Sequence, residues 1–440
     1  MSGRRDVAIY VPALIGGGAE RVAALLASAL SAAGHDVTLV VDFGAPHNES
    51  FVDSGVERVT LAGAHAGDIL QLAAFLKKRQ PEIALAIGAA TNIKLVAAHM
   101  IANLTARTST RIVLSYHGPS SHGSGWLGWA AYPLASLLTR YASRTICVSD
   151  ELVRHIVQDW RGARERVVRI YNPIAVDRAE PVADEKTLTA RPPIVIALGR
   201  LVAQKDYATL IEAMALLPRT DVRLSIYGEG PEQPALGELA ERRGVAGRVD
   251  WCGYVSDPWD AYAAARCFVL SSQNEAFGNV VVEALASGLP VVSTACGGPT
   301  EILENGRFGT LVPIGDPVAL SAAITRALDQ PGATSRARTR LRCANNCRAL
   351  RYAVRGNSVC LSVLSQRHPR RFDHSPQRKS GHRQKRTIND AEDDRARDQR
   401  PYDAPGKMMD HPPRGRGGGE HAQRRLSEVA PRNRERQNAE

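Results

Sequence analysis

The sequence lacks several features that would assign it to a simple class. It has no continuous apolar run of 18 or more residues, whereas a helix that crosses a bilayer needs about 20. Its seven cysteines show no spacing typical of a disulfide framework or a zinc site, which favours a reducing compartment. A signal peptide is not expected, because the apolar run after Asp6 is short and meets Pro12. Transmembrane and disulfide-rich classes are therefore excluded.

The net charge of +11 is unevenly distributed. Residues 331–440 contain 26 Lys and Arg against 12 Asp and Glu, whereas residues 1–330 contain 30 basic and 33 acidic residues. The first 330 residues are thus nearly neutral, which argues against a basic nucleic-acid-binding surface there. The chain is long enough for two or three domains.

Residues 331–440 show no helical or strand period and contain 23 arginines, a composition that predicts disorder. The abrupt change of composition suggests a frameshift near residue 331. The other interpretation is a nucleic-acid-binding arm. The segment has no interleaved aromatic residues and no module signature, so we expect no nucleic acid partner.

Strand-like and helix-like patterns alternate through the first 330 residues. The chain begins with a predicted strand at 7–11, a triple glycine at 16–18, a helix at 19–33 and a strand at 37–41. Such a unit is typical of the start of a doubly wound α/β domain. The alternation resumes at Ile194 after a segment rich in proline. We predict an α/β fold with two Rossmann-like domains, at 1–171 and 194–330, joined by a linker at 172–193.

The strongest motif is LSSQNEAFGNVVVEALASGLPVVSTACGGPTEIL at residues 270–303. The pattern predicts a buried strand, a loop at its carboxyl end, and a helix from Val280 to Ser287 capped by Asn279. A helix start suits a phosphate because its N–H groups are unpaired. Glu275 and Glu283 bracket this helix start in an E-x7-E pattern, and carboxylates accept hydrogen bonds from vicinal sugar hydroxyls.

Two cations follow the first strand of the second predicted domain, in the pattern G-R-x4-K. Arg200 offers a planar fork of donors and Lys205 a point charge, and together they suit a diphosphate. Two solvated cations on a loop are the bland interpretation of the same pattern.

The stretch around the two glutamates strongly resembles the donor-site signature of the large retaining glycosyltransferase family with the GT-B fold. The G-R-x4-K pattern is similar to that family's diphosphate clamp. The resemblance implies two domains facing a cleft, with Glu283 on the ribose hydroxyls and Glu275 on the sugar hydroxyls. Arg200 and Lys205 then stabilise the leaving diphosphate, so no metal and no other cofactor is expected. No D-x-D motif follows a predicted core strand, which agrees with that expectation.

The resemblance also implies which other residues form the site. The residues expected to be catalytic are His117, Arg200, Lys205 and Glu275. Those expected to bind the donor are Gly17, Gly18, Gly228, Gly230, Tyr254, Phe277, Gly278, Asn279, Val280 and Glu283. His117 ends a predicted strand at 112–115, where family members carry a histidine beside the transferred sugar. Taken alone, a histidine in that position is more often structural.

Residues 126–141 are apolar and aromatic, with no acidic residue and with Pro133 among them. They predict either a helix packed on the first sheet or a surface helix that touches lipid.

The implied function is retaining transfer of a hexose or N-acetylhexosamine from a nucleotide diphosphate sugar, with UDP favoured, to a glycan or lipid-linked acceptor. Cell-surface polysaccharide or lipopolysaccharide synthesis is the expected role, in the cytoplasm and peripheral on the inner membrane face. A sugar phosphorylase that uses pyridoxal phosphate is disfavoured, because lysines are scarce before residue 331. The alternative is a catalytically impaired or truncated nucleotide-binding GT-B protein. The reason is that family members continue, where this chain changes composition near residue 331, with helices that return to the first domain. We therefore expect weak activity and low stability from this chain.

Overall fold

Two parallel sheets, one from each half of the chain, organise the fold. The computed structural model describes residues 4–45, 47–118, 125–175 and 185–330. The prediction of a disordered or frameshifted segment at 331–440 lies outside the described residues.

The described strands of the first sheet are β1 (Asp6–Val11), β2 (Asp36–Val41), β3 (Glu57–Thr60), β4 (Ile83–Ile87), β5 (Arg111–Tyr116), β6 (Arg144–Cys147) and β7 (Val167–Arg169). They pair in parallel in the order β3-β2-β1-β4-β5-β6-β7. The strand order reverses beside β1, as in a doubly wound sheet, and all carboxyl ends lie at one edge.

The described α-helices of this half are α1 (Gly18–Ala32), α2 (His65–Arg79), α3 (Ala89–Thr105), α4 (Gly125–Ala130), α5 (Ala135–Tyr141) and α6 (Asp150–Arg154). The five residues of β4, IALAI, are all buried, as expected for a strand covered on both faces. Helix α1 buries Ala23, Leu26 and Leu30 at helical spacing. The chain then turns at Gly34, whose φ of 86° lies in the left-handed region that glycine tolerates.

The described strands of the second sheet are β8 (Ile194–Leu198), β9 (Arg223–Tyr227), β10 (Val249–Gly253), β11 (Cys267–Leu270), β12 (Val291–Thr294) and β13 (Thr310–Val312). They pair in the order β10-β9-β8-β11-β12-β13, again all in parallel. The described α-helices here are α7 (Glu185–Ala190), α8 (Tyr207–Ala215), α9 (Gln233–Arg242), α10 (Trp259–Ala264), α11 (Asn279–Ala286), α12 (Gly297–Ile302) and α13 (Pro317–Asp329). The predicted fold class, two doubly wound α/β domains, is confirmed.

Two stretches of the chain contain helices that differ from the sequence predictions. The interval predicted as a linker contains α7. Residues 126–141 form two helices instead of one, with Pro133 between them. They pack on the first domain through residues such as Leu127 and Leu138, which are 7% and 6% exposed, while Trp129 and Leu137 remain exposed. The packed-helix interpretation is therefore confirmed, although the two helices keep an exposed apolar face.

The prediction that Asn279 caps α11 was wrong. The N-cap is Gly278, with a left-handed φ of 92°, and Asn279 is the first helical residue. The Asn279 side chain instead faces the first domain. Its Nδ2 donates to the carbonyl of Gly18 at 3.3 Å, and its Oδ1 accepts from Nδ2 of Asn172 at 2.9 Å. Partners in the first domain and at the start of the linker thus outweigh the local capping preference of asparagine.

Candidate active site

The predicted site residues all lie just beyond, or shortly after, the carboxyl ends of strands. They follow β1 (Gly17, Gly18), β5 (His117), β8 (Arg200, Lys205), β9 (Gly228, Gly230), β10 (Tyr254) and β11 (Glu275 to Glu283). Ligands bind at this edge of open parallel sheets because the loops there are free to vary and helix starts face it.

Lys205 and Glu275 form an ion pair within the second domain. Their side chains are only 16% and 12% exposed, and Oγ of Ser272 donates to Oε1 of Glu275 at 3.2 Å. The Gln204 side chain donates to the carbonyl of Asn274 at 2.7 Å. The loop that contains Lys205 and the loop that contains Glu275 are separate motifs in the sequence. In the fold, this ion pair and these hydrogen bonds join the two loops into a continuous surface.

Arg200 is exposed at the start of the loop after β8. A Cβ at Gly228, where φ is 142°, would overlap the carbonyl oxygen of Gly199, and a Cβ at Gly230 would overlap that of Leu201. The two glycines therefore let the loop after β9 pack on the backbone either side of Arg200. This packing explains both glycines as supports of the Arg200 loop.

Glu283 is nearly buried, with 4% of its surface exposed. The hydroxyl of Tyr262, in α10, donates to its Oε2 at 2.9 Å, and Nη1 of Arg21, in α1 of the first domain, lies 3.5 Å from its Oε1. Burial raises the pKa of Glu283, while Arg21 and the Tyr262 hydrogen bond act in the opposite direction. The carboxylate predicted to hold ribose is thus held by residues from both domains.

The triple-glycine loop of the first domain lies against the second domain. A Cβ at Gly16 would lie 2.8 Å from the ring of Tyr254, and Gly18 receives the Asn279 hydrogen bond described above. The Tyr254 ring also meets His47 edge-on, with 5.0 Å between ring centroids. Predicted donor-binding residues of both domains are therefore neighbours.

Gly17 is the N-cap of α1, and the carboxylate of Glu20 folds back over it so closely that a Cβ at Gly17 would displace this side chain. Burial raises the pKa of Glu20, and the positive charge of Arg200 opposes this rise. The start of α1 therefore lies in the electrostatic field of the predicted diphosphate clamp.

Phe277 is 3% exposed and packs on Tyr171 of the first domain, with 5.5 Å between ring centroids. Only its backbone is available to a donor. The carbonyl of Val280 accepts from the Tyr262 hydroxyl at 3.3 Å. At Gly278 to Val280 the first N–H groups of α11 lack partners within the helix, which leaves them to bind an anion.

His117 lies beside an apolar cavity of about 40 Å³, lined by residues that include Val22, Ile87 and Asn172. Its Nε2 is 2.8 Å from Oγ of Ser115, while its Nδ1 is buried without a hydrogen-bond partner among the described residues. Burial lowers the pKa of His117 to about 4, so the imidazole is neutral near pH 7. Asn172 connects this cavity to α11 through its bond to Asn279.

Four residues of this site were not predicted: Glu20, Arg21, Asn172 and Tyr262. Glu20 and Arg21 directly follow the triple glycine, so opposite charges at a helix start facing a cleft are the signal that was available. Tyr262 occupies an ordinary apolar position of α10, and no local pattern identifies it.

The described residues contain neither a cluster suited to a metal ion nor a helix suited to a bilayer. Nowhere in these residues do three or more His, Cys, Asp or Glu side chains meet in a geometry suited to a metal ion. Likewise, none of the helices described is both long and apolar enough to cross a bilayer.

Two family models match successive parts of the chain. The model described as Glycosyltransferase Family 4 matches residues 16–178, and the model described as Glycosyl transferases group 1 matches residues 180–349. The second match extends beyond residue 330, the predicted end of the second domain.

Curated relatives have matching names. The lipopolysaccharide core biosynthesis glycosyltransferase LpsE of Rhizobium meliloti (strain 1021) is 41% identical over 168 residues, which are 38% of this chain and 46% of the relative. The GDP-mannose-dependent alpha-mannosyltransferase of Mycobacterium tuberculosis (strain CDC 1551 / Oshkosh) is 32% identical over 202 residues, 45% of this chain and 51% of the relative. The chain thus spans about half the length of these curated relatives.

Solved structures share the architecture. Anabaena Alr3699/HepE in complex with UDP-glucose has a TM-score of 0.68 at 21% identity, covering 82% of this chain and all 100% of that chain. WaaG, a glycosyltransferase involved in lipopolysaccharide biosynthesis, has a TM-score of 0.62 at 18% identity, covering 80% and 99%. At such identities these likenesses show the fold, and the two family models supply the affiliation. The chain belongs to the glycosyltransferases of the GT-B fold.

Proposed function

We propose that the protein is a retaining glycosyltransferase that moves a hexose or N-acetylhexosamine from a nucleotide diphosphate sugar to a glycan or lipid-linked acceptor. This proposal depends on one observation: an ion pair and a hydrogen bond join the Lys205 loop to the Glu275 loop, beside Arg200 and the start of α11. Cations and unpaired N–H groups for a diphosphate then lie next to carboxylates for sugar hydroxyls.

In this proposal the bound donor replaces the ion pair between Lys205 and Glu275 with contacts to the donor itself. Lys205 turns from Glu275 to the diphosphate, which frees Glu275 to accept hydrogen bonds from the transferred sugar. Arg200 and Lys205 stabilise the negative charge that develops on the leaving diphosphate. Glu283 accepts hydrogen bonds from the ribose hydroxyls.

His117 takes an orienting role beside the transferred sugar. Because its imidazole is neutral, it can hydrogen-bond a sugar hydroxyl through the unpartnered Nδ1 without adding charge near the bond that breaks. Attack on the same face as the leaving group, with a donor phosphate oxygen taking the acceptor's proton, would retain the anomeric configuration.

We further propose that transfer requires no divalent cation or other cofactor, since two cations already face the diphosphate position. Turnover that is unchanged in EDTA is the expected result, and loss of turnover restored by magnesium would contradict it.

Support for the donor and the role comes from the relatives. HepE is described with UDP-glucose, and LpsE and WaaG are named for lipopolysaccharide synthesis. We therefore propose UDP as the nucleotide and cell-surface polysaccharide or lipopolysaccharide synthesis as the role. GDP is the competing choice, because another relative is named as GDP-mannose-dependent.

An exposed apolar face on α3, α4 and α5 supports a place on the inner side of the cell membrane. Its large side chains are Met100, Leu104, Trp129, Leu134 and Leu137, exposed by 53%, 85%, 63%, 39% and 64%. No Asp or Glu occurs between residues 83 and 149, while five Lys and Arg do. Lys94 and Arg111 pair with acidic residues outside this range. Apolar side chains together with the other three cations, Arg107, Arg140 and Arg144, fit an anionic lipid surface, where a lipid-linked acceptor would be presented.

A thermal-shift panel of UDP, GDP and their sugars, followed by donor turnover, tests the proposed function. We expect UDP and UDP-sugars to raise the melting temperature and at least one UDP-sugar to be consumed. If no nucleotide stabilised the protein, the proposal would be wrong.

The change of composition at residue 331 favours one second candidate, an impaired nucleotide-binding protein of the same fold. Stabilisation by UDP or GDP with neither hydrolysis nor transfer would support it. Comparing this chain with one whose reading frame is restored after residue 331 separates the two, because only an impaired chain would gain turnover and melting temperature.

A further inference from the structure

A cationic side chain of the first domain contacts Glu283, the carboxylate of the second domain that is proposed to bind the donor ribose. Arg21 lies in the first turn of α1, with Nη1 3.5 Å from Oε1 of Glu283. Its Nη2 donates to the carbonyl of Ser256, and its guanidinium stands over the ring of Phe51 at 4.4 Å. Contacts on three sides leave the side chain only 19% exposed. A planar guanidinium fixed in this way presents a directed charge, which a flexible surface arginine does not.

Three ionisable side chains act on the Glu283 carboxyl. Arg21 favours its ionised form, the Tyr262 hydroxyl donates to it, and Asp257 disfavours ionisation by like charge. Within the described residues, Arg21 is the cation that faces this carboxyl. A carboxylate with 4% exposure loses most of its hydration, so its ionised form depends on the Arg21 cation and on the hydrogen bond from Tyr262.

The neighbouring residue also interacts with a charge of the second domain, with the signs reversed. Glu20, on the same turn of α1, lies in the field of Arg200 of the second domain. Adjacent opposite charges in the first domain thus face two opposite charges of the donor site. The Arg21–Glu283 contact and the charge interaction of Glu20 with Arg200 both act between the domains, so both depend on how closely the domains approach.

We infer that Arg21 is a cross-domain positioning residue that keeps the Glu283 carboxylate ionised and oriented for the nucleotide ribose when the two domains are closed. The inference rests on the proposed function, and it adds a link between closure and donor affinity. An open cleft withdraws the guanidinium, and the buried carboxyl then takes up a proton more readily. A protonated carboxyl has lost an acceptor position that a pair of ribose hydroxyls needs.

The test is UDP affinity as a function of pH, by calorimetry, for the unaltered chain and for Arg21→Met, Arg21→Gln and Arg21→Lys. Protonation of Glu283 makes affinity fall as pH falls. Loss of the cation moves the midpoint of that fall upward by about one pH unit or more in the Met and Gln variants. The Lys variant keeps the charge and should stay near the unaltered midpoint. Arg21→Gln serves if Arg21→Met does not fold.

Arg5→Met is the matched control. Arg5 is 21% exposed and pairs with Glu82 within the first domain, at the amino end of β1, so its loss should leave the midpoint in place. UDP affinity that weakens equally at every pH in Arg21→Met would reduce Arg21 to a packing residue and overturn the inference. Tighter binding by that variant would overturn it as well, because Arg21 would then be a competitor of the donor. If the unaltered chain bound neither UDP nor GDP, the proposed function would fail together with the inference.

Discussion

The hydroxyl of Tyr171 donates a hydrogen bond to Oε1 of Glu301, joining the end of the first domain to α12 of the second. The same carboxylate accepts from Nη1 of Arg169 at 3.2 Å and from the backbone N–H of Asp150 at 2.8 Å. Every one of these partners belongs to the first domain. Glu301 therefore links the second domain to the first through several hydrogen bonds, close to the segment that connects them.

Glu301→Ala is expected to destabilise the protein. It removes the carboxylate that accepts from the Tyr171 hydroxyl and from the Asp150 N–H, and loss of such hydrogen bonds costs about 1–3 kcal/mol of the free energy of unfolding. Urea denaturation measures this. Glu304→Ala is the control, because among the described residues the ion-pair partner of Glu304 is Arg307 in its own turn, and less than about 0.5 kcal/mol is expected there. Equal midpoints for both variants would contradict the role of Glu301.

Arg200→Ala should separate catalysis from folding. Arg200 is exposed, so its removal should change the free energy of unfolding by less than about 0.5 kcal/mol. If it stabilises the leaving diphosphate, donor turnover should fall about 10²–10³-fold. Arg223→Ala, which removes an exposed arginine paired with Asp250, is the control and should keep full turnover. Full turnover in Arg200→Ala would refute the mechanism.

A buried lysine in the first domain should dominate stability there. Lys94 is 2% exposed, and its Nζ lies 2.7 Å from Oδ2 of both Asp42 and Asp68. Lys94→Met leaves two carboxylates buried without a cation, which should cost about 3–5 kcal/mol. Adding Asp68→Asn should recover part of that loss. Lys78→Met, on the exposed end of α2, should have little effect, and chemical denaturation of the four proteins compares them.

His117 should make stability depend on pH. Burial lowers the pKa of His117 from 6.5 to about 4, so the unfolded chain binds a proton at a higher pH than the folded chain does. The contribution of the neutral His117 side chain to the free energy of unfolding is therefore fully present above about pH 6.5, and it is lost as the pH drops towards 4. His117→Gln should lose about 1–3 kcal/mol less between pH 7 and 4.5 than the unaltered chain. Thermal melts across this range measure it, with His65→Gln, at an exposed position, as the control.

The fold was predictable because its signals are local. Strands such as β4 are uniformly apolar since both faces are covered, and glycines mark the turns at the carboxyl ends. The joining of the Lys205 and Glu275 loops was also accessible, because both follow neighbouring strands, β8 and β11, and parallel strands place their carboxyl ends together.

Contacts between the domains were not predictable in the same way. Arg21 and Glu283 are 262 positions apart, and no pattern at either end records the other. Asn279 shows the consequence, since local propensity predicts a cap while the side chain bonds across to Gly18 and Asn172. The approach of two domains is decided by shape and charge over both surfaces, which no sequence window contains.

The exposed apolar face of α3 to α5 gives the last prediction. If this face meets lipid, the protein should bind vesicles of phosphatidylglycerol and not those of phosphatidylcholine, because both apolar contact and positive charge contribute. Leu104→Ser with Leu137→Ser removes two side chains that are 85% and 64% exposed, so folding should be preserved. The affinity of this double variant for the anionic vesicles, measured by co-sedimentation, should fall by at least about tenfold, since each buried methylene lost costs roughly 0.8 kcal/mol.

Leu216→Ser with Val318→Ser is the matched control, since these side chains are 51% and 67% exposed on the second domain. A general loss of surface apolarity would weaken vesicle binding in both double variants alike, whereas a face confined to the first domain predicts loss in one alone. Binding to phosphatidylglycerol that survives loss of Leu104 and Leu137 would mean that charge suffices, and the apolar face would then need another partner. High salt separates these contributions, because it screens the charges of Arg107, Arg140 and Arg144 and leaves apolar burial in place.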